Sequence, residues 1–304
     1  MKSPVSTVPA GPESNLEVNI SSVSMCMRKG HVLYELDQDE LVLKPVQDSV
    51  LGGIPFMKHA PGWMQRRLTM LSRMFMRTVS RCMERLDIKD EQAPLCFATS
   101  NGEINVVGKI MADLLGKRHR ISPSDFQNSV YNAPTGYFAI ATDRKFASNT
   151  IARGNLTFEY GLLDAVSRLA CGERNVLLVA GDEAISTKWA EPAHSSLDLC
   201  GALWLSTAKD LPVLAKIAGI HHFKPRNQSQ RREFENSLIK KNNARILRDH
   251  KACNGPCSLD EIDNPSAGIA HLLLNMKRDF IDQAMLISRS DIDQDMMVLS
   301  VEPK

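Results

Sequence analysis

The sequence lacks the features that would assign it to several large classes of protein. Its 304 residues contain no continuous apolar run of about 18 residues, which argues against a transmembrane helix. No basic segment followed by an apolar stretch opens the chain, so no secretory signal peptide is predicted and we expect a cytoplasmic protein. Lys and Arg number 37 against 35 Asp and Glu, and this near balance gives no general electrostatic reason to expect nucleic-acid binding.

Cysteine and histidine are present, but not in the spacing of a metal site. Cys253 and Cys257 are separated by three residues with His250 nearby, and no second cysteine pair completes a set of four ligands. His221 and His222 are adjacent, which is not the helical spacing that lets two imidazoles share a metal ion. We therefore expect no metal and no other cofactor, and we expect most of the seven cysteines to be buried, reduced thiols.

What is present is a chain able to bury a large core, with 43% hydrophobic and 24% charged residues. Residues 1–15 are rich in Ser, Pro and Gly and predict a mobile tail. The most informative stretch reads as strand, sharp turn, helix and strand, at Phe146–Ala152, Arg153–Asn155, about Thr157–Cys171 and a segment ending at Val179–Glu183. This alternation predicts a layered α/β domain.

Upstream of this stretch the periodicity is first helical and then strand-like. Apolar residues recur at three- and four-residue steps from Met64 to Leu86, and arginines fill many of the remaining positions. We interpret this as a core helix with a solvated basic face, although a membrane-surface or nucleic-acid-binding helix would show the same pattern. A short strand at Pro94–Thr99 and a helix at Glu103–Leu115 with one apolar face follow.

Four segments of this region resemble the motifs of β-ketoacyl synthases, the condensing enzymes of fatty-acid and polyketide assembly. In that family a V-N-x-x-A-G-x-x-S-I loop leads to a strand ending in T-A-C, a helix ending near G-D-A-D and a strand ending in V-A-G-G-A-E. The corresponding segments here are Tyr131–Ile140, Asn149–Ala152, Gly172–Asn175 and Val179–Glu183. The resemblance implies a thiolase-like layered α/β fold, with a complete N-terminal half at residues 16–220 and a reduced C-terminal half of the same fold at residues 221–304.

The family's catalytic residues are missing by this alignment. Counting back from Gly172, the nucleophilic Cys falls on Asn155, or on Gly154 if the turn slips by one residue. Asn264–Ala270 aligns with the family's H-T-x-G-A-A-G helix start but lacks its His, and Ser288–Gln294 holds no glycine where the family has a glycine-rich turn. The resemblance therefore implies a vacant elbow at Gly154 and Asn155, no catalytic residue, and a protein that is not an enzyme by itself.

Three further segments resemble chain length factors, the cysteine-less partners of ketosynthases in aryl-polyene and related type II polyketide systems. They are an arginine-rich helix after a proline at Pro61–Arg77, an S-P-x-x-F loop at Ser122–Phe126 and an N-A-x-x-G-Y segment at Asn132–Tyr137. The resemblance implies a subunit that pairs with an active β-ketoacyl-ACP synthase, or with itself when alone, and shapes the acyl tunnel. It also implies acyl carrier protein as a partner.

The same resemblance assigns roles to particular side chains. The aromatic candidates for the tunnel lining are Phe126, Tyr131, Tyr137 and Phe138. Core packing alone would also account for these four rings. The strand before the elbow pairs across the two-fold axis in the family, which satisfies its open edge. The interface candidates on that strand are Phe146, Ser148, Thr150 and Ala152, and the candidates for docking a carrier protein are Arg66 and Arg67.

An enzyme acting alone on acyl thioesters is the alternative. Such an acyltransferase, hydrolase or decarboxylase would need a nucleophile other than cysteine, and Ser148, Thr150 and Thr157 lie near the elbow. Asn155 would then donate a hydrogen bond to an oxyanion. No His lies within fifteen residues of the elbow in sequence, so any general base would have to come from elsewhere in the fold.

Overall fold

The computed structural model describes residues 16–37, 39–40, 42–54, 60–88, 92–116, 120–185, 197–225, 227–242, 245–246, 264–277, 284–289 and 295–303. The tail predicted at residues 1–15, the Cys253 and Cys257 pair and most of the predicted turn at Ser288–Gln294 lie outside these residues.

The helices and strands alternate along much of the chain. The helices are α1 (Gly62–Arg67), α2 (Met70–Glu84), α3 (Ile104–Leu115), α4 (Pro123–Asn128), α5 (Ala133–Thr142), α6 (Thr157–Ala170), α7 (Gln228–Asn242) and α8 (Ala267–Lys277). The strands are β1 (Val18–Lys29), β2 (Val32–Asp37), β3 (Val42–Val46), β4 (Leu95–Ala98), β5 (Ser148–Ile151), β6 (Asn175–Asp182), β7 (Asp198–Ser206), β8 (Ala215–Phe223), β9 (Arg245–Ile246), β10 (Ala284–Arg289) and β11 (Met296–Pro303).

The described strands join into one mixed sheet in the order β5-β4-β6-β7-β1-β8-β11-β10-β9. β4 runs parallel to both β5 and β6, whereas β6 is antiparallel to β7 and β7 is antiparallel to β1. The β2–β3 hairpin branches from the end of β1. This order places β4 and β6 inside the sheet and β5 at its edge.

Helices cover the central strands on both faces. In β6, Val176 and Leu178 face a core shared with α6 and α8, while Leu177 and Val179 face a second core shared with α2 and α5. Because both faces are buried, the central strands read in the sequence as continuous apolar runs rather than as alternating ones. The layered α/β arrangement predicted from the sequence is confirmed.

The single helix predicted from Met64 to Leu86 is wrong, because two helices occupy this stretch. α1 ends at Arg67 and Leu68 is extended, with φ −61° and ψ 125°. Thr69 then caps α2, since its hydroxyl oxygen accepts a hydrogen bond from the Ser72 N–H at 3.0 Å. A threonine cap inside a continuous apolar pattern interrupts the helix without disturbing the periodicity of its buried face.

The basic face of α2 is only partly solvated. Arg77 donates two hydrogen bonds to the Glu35 carboxylate on β2, at 2.5 and 3.0 Å, and both side chains are largely buried. A bidentate pair of this kind fixes geometry as well as charge. One of the predicted surface arginines therefore attaches the β2–β3 hairpin to α2.

Other predicted elements form with changed surroundings or bounds. The predicted helix at Glu103–Leu115 is present as α3, but none of its side chains is buried. The strand predicted at Phe146–Ala152 is shorter, because β5 spans only Ser148–Ile151. The helix start predicted within Asn264–Ala270 is confirmed by α8. The predicted division of the chain at residue 220 falls inside β8 and stays a prediction.

α6 crosses β4 and β6 at a close approach that requires a glycine. A Cβ at Gly161 would lie 2.7 Å from the Ala98 Cβ and 3.1 Å from the Leu178 Cδ1, and real Cβ atoms do not come this close to a neighbour such as Ala98. The helix therefore sits directly on the sheet, and the turn at its N-terminus is held in place by that contact.

We predict that Gly161→Ala destabilises the protein by about 1–3 kcal/mol, because the added methyl group overpacks this contact. Gly136→Ala is the matched control: Gly136 lies exposed in α5 with no atom within 4 Å of its would-be Cβ. That control should be neutral or slightly stabilising, since alanine is the better helix former. Denaturant unfolding measures both, and equal midpoints for the two variants would contradict the close contact.

Candidate functional site

The turn between β5 and α6, which we call the elbow, is built on a glycine. β5 ends at Ile151, and Gly154 has φ +52°, a left-handed conformation that glycine adopts without strain. A single 3₁₀ turn from Gly154 to Leu156 then leads into α6 at Thr157. Gly154 and Asn155, which form the turn and are half-buried, carry neither a thiol nor a hydroxyl group.

Thr157 holds the elbow from inside. Its Oγ1 accepts a hydrogen bond from the Arg153 N–H at 2.8 Å and donates one to the Gly154 carbonyl at 2.7 Å. The side chain is fully buried. Both functions of the hydroxyl group are therefore used to close the turn, which is a structural role and not that of a nucleophile.

Three basic side chains meet at one buried carboxylate beside the elbow. Arg153 Nη2 lies 3.1 Å and His222 Nε2 3.4 Å from Asp295 Oδ2, and Lys224 Nζ lies 3.7 Å from Asp295 Oδ1. The Asp295 side chain is only 4% exposed, and the Arg153 guanidinium also lies over the Tyr160 ring, 5.4 Å from its centroid. The cluster attaches Arg153, the residue before Gly154 in the elbow, to His222 on β8 and to Asp295 just before β11.

The adjacent His221 and His222 predict an exposed pair at the end of a strand, and Asp295 has no predicted role. His222 is instead half-buried, with its ring 6.3 Å from that of Tyr160. Arg153, the His222 and Lys224 pair, and Asp295 are each about 70 positions apart, so no local spacing in the sequence could have indicated the cluster.

A second feature of the site is an apolar surface left uncovered. Of the eleven large hydrophobic side chains that are exposed among the described residues, eight lie between residues 111 and 140. We call this set the open face; it comprises Met111, Leu114, Leu115, Ile121, Phe126, Val130, Tyr131 and Ile140. It is carried by α3, α4, α5 and the segments that join them, and surfaces of this kind mark interaction sites.

The edge strand β5 lies in the same part of the chain. It pairs with β4 alone among the described strands, and within this part of the chain no strand lies along its other edge. Ser148 and Ala152 are exposed and Thr150 is half-buried. Phe146 precedes the strand and packs inward, with its ring 5.5 Å from that of Phe138.

The four aromatic residues predicted to line a tunnel separate into two pairs. Tyr137 and Phe138 are buried in the core beneath α5, at 5% and 3% exposure. Phe126 and Tyr131 are 64% and 45% exposed on the open face. The structure of one chain therefore does not bring all four side chains to a common cavity.

The two predicted docking arginines also differ. Both are exposed on α1, but only Arg67 has side-chain contacts of its own among the described residues. The Arg67 guanidinium lies 5.2 Å from the centroid of the Trp63 ring and donates to Gln127 Oε1 at 3.3 Å.

Comparison with known families assigns the fold. The family described as beta-ketoacyl synthase, N-terminal domain, matches residues 47–255, which is more than half of the chain. The chain belongs to the β-ketoacyl synthase family. A search of curated protein sequences finds no match.

Solved ketosynthase structures share the fold at low sequence identity. The ketosynthase ApeO in complex with its chain length factor ApeC, from Xenorhabdus doucetiae, matches at 15% identity and a TM-score of 0.57, covering 94% of this chain and 100% of that one. The ishigamide ketosynthase/chain length factor matches at 13% and 0.67, covering 94% and 99%. The type II PKS acyl-carrier protein in complex with its ketosynthase bound to the hexaketide, AntDE:AntF, matches at 12% and 0.69, covering 96% and 100%. The predicted thiolase-like fold is confirmed.

Within this ketosynthase fold, a buried aspartate joins the sheet to α8. Asp182 Oδ1 accepts hydrogen bonds from Thr99 Oγ1 at 3.0 Å and the Asn101 N–H at 2.8 Å, and its Oδ2 accepts one from Ser266 Oγ at 2.6 Å. Burial raises the pKa of this carboxyl group to about 6. Ser266 stands just before α8, so the network holds the start of that helix against the ends of β4 and β6.

Two buried glutamates lie between the N-termini of α2 and α3. Glu103 Oε1 accepts hydrogen bonds from Thr69 Oγ1 at 2.6 Å and Ser72 Oγ at 2.9 Å, while its Oε2 is buried with no hydrogen-bond partner. Glu183 Oε2 accepts one from Asn105 Nδ2 at 3.0 Å. Burial and the nearby Glu183 charge raise the pKa of Glu103 to about 8, and burial raises that of Glu183 to about 7.

Neither a membrane helix nor a metal cluster is found in the part of the chain that the structure describes. No helix there is long and apolar enough to cross a membrane. No group of three or more His, Cys, Asp or Glu side chains there is arranged to hold a metal ion.

We predict that Glu103→Gln stabilises the protein at pH 8 by about 1–3 kcal/mol. The folded protein binds a proton at Glu103 up to about pH 8, whereas the unfolded chain releases it near 4.5. Stability contributed by this group therefore falls as the pH rises through that window and levels off above it. Gln keeps an oxygen for Thr69 and Ser72 but carries no charge.

The measurement is denaturant unfolding between pH 5 and pH 9, with the exposed Glu302→Gln as control. The Glu103→Gln curve should be flatter than that of the original protein, with the slope due to Glu183 remaining. A Glu103→Gln protein that loses stability with pH as steeply as the control would show that Glu103 is ionised throughout.

Proposed function

We propose that this chain is a non-catalytic, chain-length-factor-like subunit that pairs with an active β-ketoacyl synthase. In that pair it forms part of the wall of the acyl tunnel, in a polyketide- or fatty-acid-type pathway such as aryl-polyene synthesis. The observation that carries the proposal is the elbow: Gly154 and Asn155 stand where the family's alignment places a nucleophilic cysteine.

The chemistry of chain elongation explains why the elbow matters. A condensing enzyme holds the growing chain as a thioester on its own nucleophile, and the N-terminus of the following helix stabilises the charge that develops there. The helix is retained here as α6, but the turn before it offers only a backbone and an amide side chain. The one hydroxyl next to it, that of Thr157, already closes the turn.

The open face supports a protein partner. Leaving eight large apolar side chains in water forgoes the hydrophobic stabilisation of about 25 cal/mol per Å² that burial would supply. The adjacent edge of β5 presents unpaired backbone groups that a strand of a partner would satisfy. A ketosynthase subunit of the same fold supplies both an apolar surface and a strand, and two of the similar solved structures are named as ketosynthase and chain length factor together.

The four aromatic residues predicted to line the tunnel have different exposures, and this suggests different roles for them in the tunnel wall. Phe126 is 64% exposed and available to close a channel shared with the partner, while Tyr131 offers one face of its ring, since its hydroxyl is held by the Ser100 carbonyl at 3.2 Å. Tyr137 and Phe138 lie behind them in the core and support that wall. Side-chain volume at Phe126 would then limit how far the acyl chain extends, because a packed wall does not yield to an extra methylene without cost.

An acyl carrier protein is the second partner that we propose. Arg66 is exposed on α1, and a positive surface of this kind would attract the acidic carrier. Arg67 adds to this surface, because it is also exposed and its two partners, Trp63 and Gln127, are uncharged.

We predict that co-expression with an active ketosynthase and a carrier protein yields a one-to-one heterodimer, and that Met111→Lys weakens it. A lysine on the open face would leave a charge in an apolar interface. Val32→Lys is the matched control, because Val32 and Met111 are both 43% exposed but Val32 lies on β2, outside the open face. Size-exclusion chromatography with mass determination reports the assembly.

Two results would contradict the proposed pairing. One is a chain that stays monomeric or homodimeric in the presence of the ketosynthase. The other is a heterodimer that tolerates lysine at Met111 as well as it tolerates lysine at Val32, since the open face would then not be the interface.

We also predict that neither an acyl-thioester probe nor cerulenin forms a covalent adduct at the elbow of the isolated chain. Thr157 is buried and hydrogen-bonded, and the other hydroxyl candidates, Ser148 and Thr150, lie on the edge strand. Intact-mass measurement after incubation is the test, with the active ketosynthase as positive control. A stable adduct mapped to the elbow would favour the alternative, an acyl-thioester enzyme acting alone.

A further inference from the structure

The helix that carries Phe126 has little to hold it in place. α4 contains six residues, and a helix this short has no stability of its own. The Phe126 ring is 64% exposed, so packing within the chain does not fix its position. What fixes the ring must therefore be the attachment of α4 to its neighbours.

Asn128 is the one buried residue of α4, and both the nitrogen and the oxygen of its side-chain amide make a hydrogen bond. Its Nδ2 donates to the Arg67 carbonyl at the end of α1, at 2.9 Å. Its Oδ1 accepts a hydrogen bond from the Tyr137 hydroxyl of α5, at 2.5 Å. A single side chain thus joins α4 to two other helices, and we call this arrangement the Asn128 clamp.

The remaining polar attachments of α4 are closer to solvent. Lys109 Nζ lies 2.7 Å from Asp125 Oδ2, but the lysine side chain is 62% exposed. The hydrogen bond from Arg67 to Gln127 is also exposed. Pairs of this kind contribute little to holding a structure in place, whereas a buried and satisfied hydrogen bond holds it firmly.

The clamp is connected to Phe126 through a short piece of backbone. Asn128 follows Phe126 by two residues, and Ser129 Oγ donates to the Phe126 carbonyl at 2.8 Å. Burial raises the pKa of the Tyr137 phenol, so its hydroxyl keeps the proton that it donates to Asn128. A movement of Asn128 would therefore carry the Phe126 ring with it.

We infer that Asn128 and Tyr137 are positioning residues that set where the Phe126 ring stands, and thereby the length of the acyl chain that the paired subunits release. The inference rests on the proposed function, and it adds specificity-determining residues that do not themselves touch the acyl chain. Without the Asn128 clamp, α4 shifts on the surface of the chain and moves the Phe126 ring away from the acyl tunnel. The tunnel then admits longer acyl chains.

The test compares hydroxyl and amide deletions in the reconstituted complex of this chain, an active ketosynthase and a carrier protein. Tyr137→Phe removes only the donor, and Asn128→Ala removes the clamp. Phe126→Ala is the reference variant, since it removes the ring that is proposed to close the tunnel. Tyr34→Phe on β2 is the matched control, because it deletes a tyrosine hydroxyl far from α4 in the sequence. Product lengths and total turnover are measured by mass spectrometry.

We expect Tyr137→Phe and Asn128→Ala to raise the ratio of longer to normal products about three- to tenfold, with total turnover changed much less. Tyr34→Phe should leave the ratio unchanged. In a Phe126→Ala background, Tyr137→Phe should add no further lengthening, because both substitutions act on the same ring. A general loss of stability would lower turnover and would not produce this non-additive shift in length.

The outcomes separate the inference from the function on which it rests. If Phe126→Ala lengthens the products and Tyr137→Phe does not, the clamp is overturned and the proposed function stands. If the complex does not form, or Phe126→Ala leaves the lengths unchanged, both fall together. Should Asn128→Ala fail to assemble, the milder Tyr137→Phe decides the question.

Discussion

The central strands β4 and β6 are covered by helices on both faces, and this double burial governs the polar groups at their ends. A carboxylate placed there cannot use water and must find donors within the protein. Asp182 finds three of them and joins β4, β6 and the start of α8. Glu103 finds donors for one oxygen alone, so the carboxyl group retains its proton near neutral pH. The helix starts of α2, α3 and α8 are thus arranged around buried acids.

At the elbow the charge that needs a partner is positive, and a buried carboxylate supplies that partner. The N-terminus of α6 carries a partial positive charge, and a guanidinium beside it is electrostatically unfavourable on its own. Asp295, whose side chain is 4% exposed, offsets this by accepting a hydrogen bond from the half-exposed Arg153 guanidinium. In a ketosynthase that bears a cysteine, the positive end of this helix would stabilise a thiolate. In this chain α6 is present, and the charged groups beside its N-terminus form an ion-paired cluster around Asp295.

The sequence was sufficient for the elements whose signals are local. The strand, turn and helix around the elbow follow from periodicity and from the glycine at 154, and the family resemblance correctly located the start of α8. The break between α1 and α2 was missed because Thr69 caps a helix within an unbroken apolar pattern. Thr69 is a residue type that commonly caps helices, but the continuous apolar periodicity favoured the prediction of a single helix.

Features that depend on distant parts of the chain could not be predicted in this way. The apolar stripe of α3 is typical of a core helix, and only the tertiary structure shows that none of its side chains is buried in the single chain. The Asp295 cluster and the Asn128 clamp join residues whose separation in sequence carries no pattern. Burial likewise raises the pKa of Glu103, and the residue type alone does not indicate that this side chain is buried.

The edge strand β5 has a consequence for the chain before it meets any partner. It is only four residues long, Ser148 and Thr150 are polar, and Asn149 is held by its own chain through a hydrogen bond to Asp164 Oδ2 at 3.0 Å. Long, flat, apolar edge strands are the ones that pair with strands of other molecules and cause aggregation. The edge of β5 is short and polar, so it does not belong to this class. In the isolated chain, the tendency to self-associate is therefore set by the exposed apolar side chains of α3 to α5, and the backbone of β5 adds little to it.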